Sequence, residues 1–302
     1  MSDHRPLDRG GLAHLLVVYL AWGSTYLGIR LAVSGEGGFP PFAMAGLRVF
    51  AAAAVLLGWA RLRRERVLPR GREWILLGGS GLLLWVGGNG LVTWAEMRAS
   101  SGLAALLVAA MPLWGESITL ILDRKAPAPL LVGSILLGFA GVGVLSWPVL
   151  RTGSAGDIAS VVGLLLAPLF WAMGSIWFQR RRTDMSVRTV SGWQQLLGGV
   201  GLAAMALGRG EIGPGVAWST PDGTAWAAWA YLVVVGSVFA FTSYVITLGR
   251  LPYRVVMTYA YVNPVIAVFL GWLLIDEPVT RWTLAGAVLV VAGVVGVFRN
   301  RG

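Results

Sequence analysis

Apolar residues run through this chain in long blocks separated by short polar connections, with neither strand-like alternation nor a single helical stripe. Ten blocks stand out, at residues 11–33, 41–60, 73–95, 99–121, 129–147, 157–178, 189–207, 224–247, 254–274 and 281–298. A helix rising about 1.5 Å per residue needs roughly 20 apolar residues to cross a hydrocarbon layer of about 30 Å. The pattern therefore predicts an all-α membrane protein with ten transmembrane helices.

The connections distinguish the two sides. Arg61, Arg63, Arg64, Arg66, Arg70 and Arg72 follow the second block, and Arg180, Arg181, Arg182 and Arg188 follow the sixth. Arg5, Arg9, Arg124, Lys125, Arg250, Arg254, Arg299 and Arg301 fall on that same side, whereas the opposite connections hold only Arg98, Arg151, Arg209 and Arg281. Basic residues concentrate on the cytoplasmic side, so both termini are expected there. The short polar start, MSDHRPLDRG, has no cleavable-signal pattern and predicts direct insertion into a cytoplasmic membrane.

Composition agrees and narrows the chemistry. The 302 residues are 56% hydrophobic and 13% charged, with a mean hydropathy of +0.72. A net charge of +10 would otherwise suggest nucleic acid, but the arginines sit where topology signals sit, so no nucleic-acid partner is expected. Cysteine is absent, which excludes disulfides, thiol catalysis and cysteine metal sites. No metal or cofactor is expected.

The two halves resemble each other. An offset of 152 carries Pro69 onto Pro221, Trp74 onto Trp226, Pro112 onto Pro264 and Gly141 onto Gly293, and an offset of 151 carries Gly23 and Ser24 onto Gly174 and Ser175. Two five-helix repeats, 1–150 and 151–302, are therefore expected. Five is odd, so the second repeat enters the membrane from the opposite face. Inverted repeats of this kind are a device of secondary transporters, which exchange the conformations of their halves.

Four segments carry a resemblance: AWGSTYLGIR (21–30), GNGLVTWAE (88–96), FWAMGS (170–175) and YAYVNPVIAVFLG (259–271). With ten spans in two repeats, the chain resembles the EamA branch of the drug/metabolite transporter superfamily, over essentially its whole length and in the manner of the bacterial YedA-like exporters. The resemblance implies a bacterial inner-membrane exporter of amino acids, other metabolites or xenobiotics, driven by the proton gradient. It also implies a central cavity surrounded by spans 1–4 and 6–9, with spans 5 and 10 at the side. Ser134 and Gly138 in span 5, and Ala292 and Gly296 in span 10, are small residues four apart that suit close helix contact.

Several side chains could serve such a cavity. Trp22 and Tyr26 share one face of span 1, Trp171 and Ser175 one of span 6, and Tyr259 and Asn263 one of span 9. Trp85, Asn89, Thr93 and Glu96 form a stripe on span 3 that either meets another helix or lines a wet cavity. At an offset of 152 that stripe becomes Ser237, Phe241, Val245 and Leu248, an apolar wall. Arg30 and Arg48 lie toward the outer ends of spans 1 and 2, either as salt-bridge partners of Glu96 in an outer gate or as a carboxylate-binding pair. Pro112 and Pro264 fall near the midplane as static kinks or paired hinges. In VAAMPLWGESITL (108–120), Glu116 follows Pro112 by about one turn, and it joins Glu96 as a candidate for proton coupling or cation binding, with snorkelling toward Arg124 as its structural reading.

Enzymatic readings fare poorly. GGSG (78–81) matches an intramembrane serine-protease loop, but the histidines, His4 and His14, lie at the cytoplasmic end of span 1, so Ser80 reads as packing. No P-loop is present. The expected function is a proton-coupled secondary exporter of small amphipathic organic molecules, amino acids or organic amines, as a monomer or homodimer. The alternative is an exchanger such as a nucleotide-sugar-type carrier.

Overall fold

The computed structural model describes residues 8–124, 126–181, 183–214, 216 and 220–299. His4, Arg5, Lys125, Arg182 and Arg301 fall outside these, as does the side chain of Arg254. Among the described residues the chain forms helices and turns, without a strand. The helices are α1 (Arg9–Val33), α2 (Pro41–Leu62), α3 (Glu73–Ala95), α4 (Ser101–Asp123), α5 (Pro129–Thr152), α6 (Ala155–Gln179), α7 (Val187–Gly208), α8 (Gly223–Arg250), α9 (Tyr259–Ile275) and α10 (Arg281–Arg299). Local chemistry sets their starts. Asp8, Ser100, Ser186 and Asp222 cap α1, α4, α7 and α8 by accepting from backbone N–H groups, Ser154 and Asp157 form a capping box on α6, and prolines open α2 and α5.

Every predicted block is a helix, and among the described residues seven helices, α1–α6 and α8, are long and apolar enough to cross a membrane by length and composition. Local features account for α7 and α9. In α7 the polar residues Ser191, Gln194 and Gln195 are buried, with the Gln194 Nε2 donating to Ser80 Oγ at 2.8 Å and the Gln195 Nε2 to Ser237 O at 3.2 Å. Both amide nitrogens are thus bonded inside the protein, while Ser191 Oγ and the two amide oxygens have no partner among the described residues, and all three side chains lower the hydropathy of the helix. An interruption at Met257 and Thr258 separates α9 from the short turn of helix Tyr253–Val256 and leaves it 17 residues long. Ser80 serves helix contact: its hydroxyl donates to Leu76 O at 2.6 Å and accepts from the Gln194 Nε2.

The helix bounds repeat, though not at one offset. The bounds of α1 and α2 recur in α6 and α7 after 146 residues, the start of α3 in α8 after 150, and those of α4 and α5 toward α9 and α10 after 152. The connection at 209–222 is longer than that at 63–72, which accounts for the first step. Two sequence alignments are thereby corrected. Gly28, not Gly23, occupies the position of Gly174, and Asn89 and Thr93 correspond to Phe239 and Ser243. Both α3 and α8 also widen into π-helix in the same place, Leu82–Gly90 and Leu232–Ala240. Packing repeats as well: α5 lies along α10 and α2 along α7, while the contact of α1 with α9 has its counterpart in that of α6 with α4.

One symmetric detail fixes the α2–α7 pair. After α2, Arg64 takes a left-handed backbone (φ 57°) and Glu65 N donates to Ala60 O; after α7, Gly210 (φ 69°) and Glu211 N to Ala206 O repeat the turn 146 residues later. Each glutamate then reaches the start of the other helix. Glu65 accepts from Ser186 and Arg188, and Glu211 accepts from Ala43 N at 2.9 Å.

Their environments differ. The hydrogen bond from the Arg188 guanidinium holds the Glu65 carboxyl below the usual carboxylate range, whereas burial pushes the Glu211 carboxyl up. A depressed folded pKa contributes stability above the unfolded value and loses it as pH falls; a raised one contributes below the unfolded value and loses it as pH rises. Glu65→Gln is therefore expected to cost about 1 kcal/mol at neutral pH, a difference that closes as pH falls through the carboxylate range. Glu211→Gln, which keeps an acceptor for Ala43 N, should leave the neutral-pH thermal midpoint unchanged or raised. Thermal unfolding of both variants from pH 4 to 8 checks the opposite signs.

Candidate functional site

Four aromatic rings from four helices meet where the halves cross. Trp22 of α1 lies 5.3 Å from Trp171 of α6 and 5.3 Å from Tyr259 of α9, both edge to face, and 4.9 Å from Tyr244 of α8. Edge-to-face rings at these separations attract through their quadrupoles beyond simple burial. Polar handles lock them in place. The Trp22 Nε1 donates to Gly236 O at 3.2 Å, the Trp171 Nε1 donates to the Tyr244 hydroxyl at 3.1 Å, and the Tyr259 hydroxyl donates to Met111 Sδ at 3.0 Å. Ser175 Oγ lies 2.5 Å from the Tyr244 hydroxyl and donates to Trp171 O.

Toward the α1 N-terminus the layer is backed by cross-half contacts. The Tyr19 and Thr258 hydroxyls are 2.5 Å apart and His14 Nδ1 is 3.0 Å from Ser243 Oγ, while within the second half the Gln179 Nε2 donates to Leu248 O at 3.1 Å. On the other side of the rings lies a slot walled by α1, α2, α3, α4, α6 and α9. Its cavity volume is about 60 Å³, small beside the several hundred Å³ of typical small-molecule sites. It is a narrow site in this conformation, with aromatic rings from α1, α3, α6 and α9 in its wall.

The π-helical turns shape it. A side-chain carbon at Gly88 would stand 2.7 Å from the Trp171 ring, and one at Gly236 would stand 2.7 Å from an Arg48 nitrogen. The bare backbone lets both groups sit against the widened helices, which is the close approach that glycine permits. Arg48 is 2% exposed; its Nε donates to Ser237 Oγ at 2.7 Å and its Cζ lies 5.6 Å from the Trp85 ring centre.

Seven of the side chains expected at a site share this slot: Trp22, Tyr26, Arg48, Asn89, Trp171, Tyr259 and Asn263. With its amide nitrogen turned toward Tyr19 O and Tyr259 O, Asn263 donates to both. Thr93 and Ser175 are fully buried behind the wall, Thr93 donating to Asn89 O. Glu116 is buried in α4 away from the slot. Pro112 and Pro264 do not line it either; α4 is interrupted at Ala109 and Ala110 just before Pro112, whereas Pro264 lies inside α9, beyond the break at Met257 and Thr258.

The expected pairing of Glu96 with arginine is corrected. Arg30 donates to the Glu96 backbone carbonyl at 2.6 Å, while both carboxylate oxygens, fully buried, have no hydrogen-bond partner among the described residues. Arg30 thus bonds to the backbone at the end of α3 and not to the Glu96 carboxylate.

Sequence reasoning missed Tyr244 and Met111. The 152 offset selected Val245 as the third member of the α8 stripe; stepping three residues from Phe241 instead of four reaches Tyr244. It also missed Glu277, which accepts from Ser101 N at 2.8 Å, Ser101 Oγ at 2.7 Å and Gly102 N at 3.1 Å, tying the α9–α10 connection to the start of α4. An acidic residue there favours the positive end of that helix. Tyr244→Phe should lower stability by about 1–3 kcal/mol, because the Trp171 N–H loses its acceptor in a dry site. A thermal midpoint equal to that of the wild type would show that the N–H finds another.

Comparison with known proteins follows the same outline. The model of the EamA-like transporter family matches residues 9–147 and again residues 158–299. The uncharacterized inner membrane transporter YedA of Escherichia coli K12 is 32% identical over 283 residues, covering 91% of this chain and 87% of YedA. An uncharacterized transporter of Archaeoglobus fulgidus is 24% identical, over 93% of this chain and 95% of its own. A solved structure described as the crystal structure of a protein shares the fold, with a TM-score of 0.66, 20% identity and coverage of 97% and 99%. Matched by the family twice along its length and to a bacterial transporter over nine-tenths of it, this chain belongs to the EamA-like transporter family, within the drug/metabolite transporter superfamily.

Proposed function

We propose that the chain is a secondary active transporter of the bacterial inner membrane. It exports small amphipathic organic molecules, amino acids or organic amines, in exchange for protons by alternating access. All ten helices span the bilayer, both termini are cytoplasmic, and residues 1–150 and 151–302 are repeats of opposite orientation. The observation that carries this reading is the position of the slot. It is built from α1–α4 of one half with α6 and α9 of the other, and is backed on one side by two hydrogen bonds that join the halves, Tyr19 with Thr258 and His14 with Ser243. Rocking one half against the other would break those bonds and open the opposite side, the motion expected of repeat-built transporters. The recurring helix bounds and the paired contacts of α1 with α9 and α6 with α4 support it.

The test is transport by the purified chain in proteoliposomes. An imposed proton gradient should drive accumulation of a labelled amino acid or amine, and the substrate should in turn move protons. Substrate movement that requires a counter-substrate and ignores the gradient would instead favour an exchanger.

A further inference from the structure

Arg48 is a buried cation with one corner left open. Its Nε is held by Ser237 Oγ and its Cζ faces the Trp85 ring, but Nη1 has no hydrogen-bond partner although the residue is 2% exposed and lines the slot. Glu96 supplies the nearest opposing charge, yet its oxygens bond to nothing and form no ion pair with the guanidinium. Trp85, 1% exposed on the same wall, has an indole N–H that is likewise unpartnered. A guanidinium withdrawn from water costs several kcal/mol unless an anion or a set of acceptors meets it. No group of the described chain does so at Nη1.

We propose that Arg48 is the carboxylate anchor of the slot, so that the ligand is an organic monocarboxylate with an aromatic or apolar body. The carboxylate takes the open Nη1 corner, where a charge-assisted bond in a dry setting is strongest. The body lies against Trp22, Trp171 and Tyr259, whose rings are already fixed by their own hydrogen bonds and lose little freedom on contact. Asn89, whose Oδ1 is buried without a partner on the same wall, offers an acceptor to an amino group, so an α-amino acid falls within the class. A ligand carrying only an ammonium group meets like charge at Arg48. This inference rests on the transporter reading and narrows its substrates to those bearing a carboxylate.

Isothermal titration of the full chain in detergent, at neutral pH, tests it with three compounds of one shape. Phenylalanine carries both charges, 3-phenylpropionate only the carboxylate, and phenethylamine only the amine. The two carboxylates are expected to bind and the amine to bind at least tenfold more weakly. Arg48→Gln should weaken both carboxylates at least tenfold, and Arg48→Lys, which keeps the charge without the planar fork, should fall between. Should Arg48→Gln fail to fold, the lysine variant and the ranking of the three compounds carry the test. Equal or tighter binding of the amine, unchanged carboxylate binding by a folded Arg48→Gln, or no binding of either carboxylate overturns the proposal. Export of an amine in proteoliposomes alongside such a result would leave the transporter reading standing and remove only this assignment.

Discussion

Valine at position 293 is expected to separate α5 from α10 and to cause the largest stability loss of any single-residue change considered. A side-chain carbon at Gly293 would stand 2.4 Å from Gly138 N and 2.5 Å from Gly138 Cα, and one at Gly141 would stand 2.6 Å from Val290 N. These are backbone atoms of the facing helix, so no rotamer change can relieve the clash. In a bilayer there is no hydrophobic force to hold two helices together once their surfaces part; close van der Waals contact is the attraction itself. Overpacking typically costs about 1–3 kcal/mol, and here it also removes the contact surface, so a loss of about 3 kcal/mol is expected. Gly143, on the same pair of helices but with nothing near its added carbon, is the control. Gly293→Val should lower the thermal midpoint in detergent by many degrees, while Gly143→Val leaves it near the wild type. Equal effects at both positions would assign the damage to the helices themselves and not to their contact.

That contact also illustrates what could be read in advance. Small residues in spans 5 and 10 suggested close packing, and Ser134, Gly138 and Gly296 do meet. Ala292 does not; it is exposed, and Gly286 and Gly293 make the approach instead. The fold was legible because solvent imposes it. A run of about 20 apolar residues has few alternatives to a helix, and caps such as Asp8, Ser100 and Asp222 sit where the runs begin. Seven side chains of the slot were legible for a related reason, since polar and aromatic groups at helical spacing inside apolar runs must face protein.

What stayed hidden depended on geometry between segments. The change of offset from 146 to 150 comes from connection length, which hydropathy does not see, and the assumed 152 displaced the α8 wall by two positions. The matched glutamates Glu65 and Glu211 were invisible at the wrong offset. The π-helical turns of α3 and α8 have no local composition that marks them, yet they bring Trp171 and Arg48 against bare backbone. The pairing of Glu96 was misjudged because charge and depth suggest a salt bridge, whereas the Arg30 guanidinium donates to the backbone carbonyl of the same residue.

Glu96→Gln is expected to abolish the coupling of transport to the proton gradient, and Glu116→Gln to preserve it. Both acids are buried, but their surroundings differ. Neither oxygen of Glu96 meets a donor, so an ionised carboxylate there is costly and a proton or a cationic group relieves it. Val92, one turn before it on α3, lines the slot, which puts a change of charge at Glu96 next to the ligand. Glu116 is already engaged by a neighbouring group and lies away from the slot, so neutralising it alters a helix contact more than the site. Glutamine keeps the shape of Glu96 without its titration, and Arg30 bonds to the backbone carbonyl, which the substitution leaves in place. The variant should therefore fold, bind ligand and exchange labelled for unlabelled substrate, while accumulation driven by an imposed pH difference falls at least tenfold. Proteoliposome assays of both functions on both variants separate the acids. Gradient-driven accumulation that survives Glu96→Gln and is lost in Glu116→Gln would move the proton to α4, one turn past Pro112.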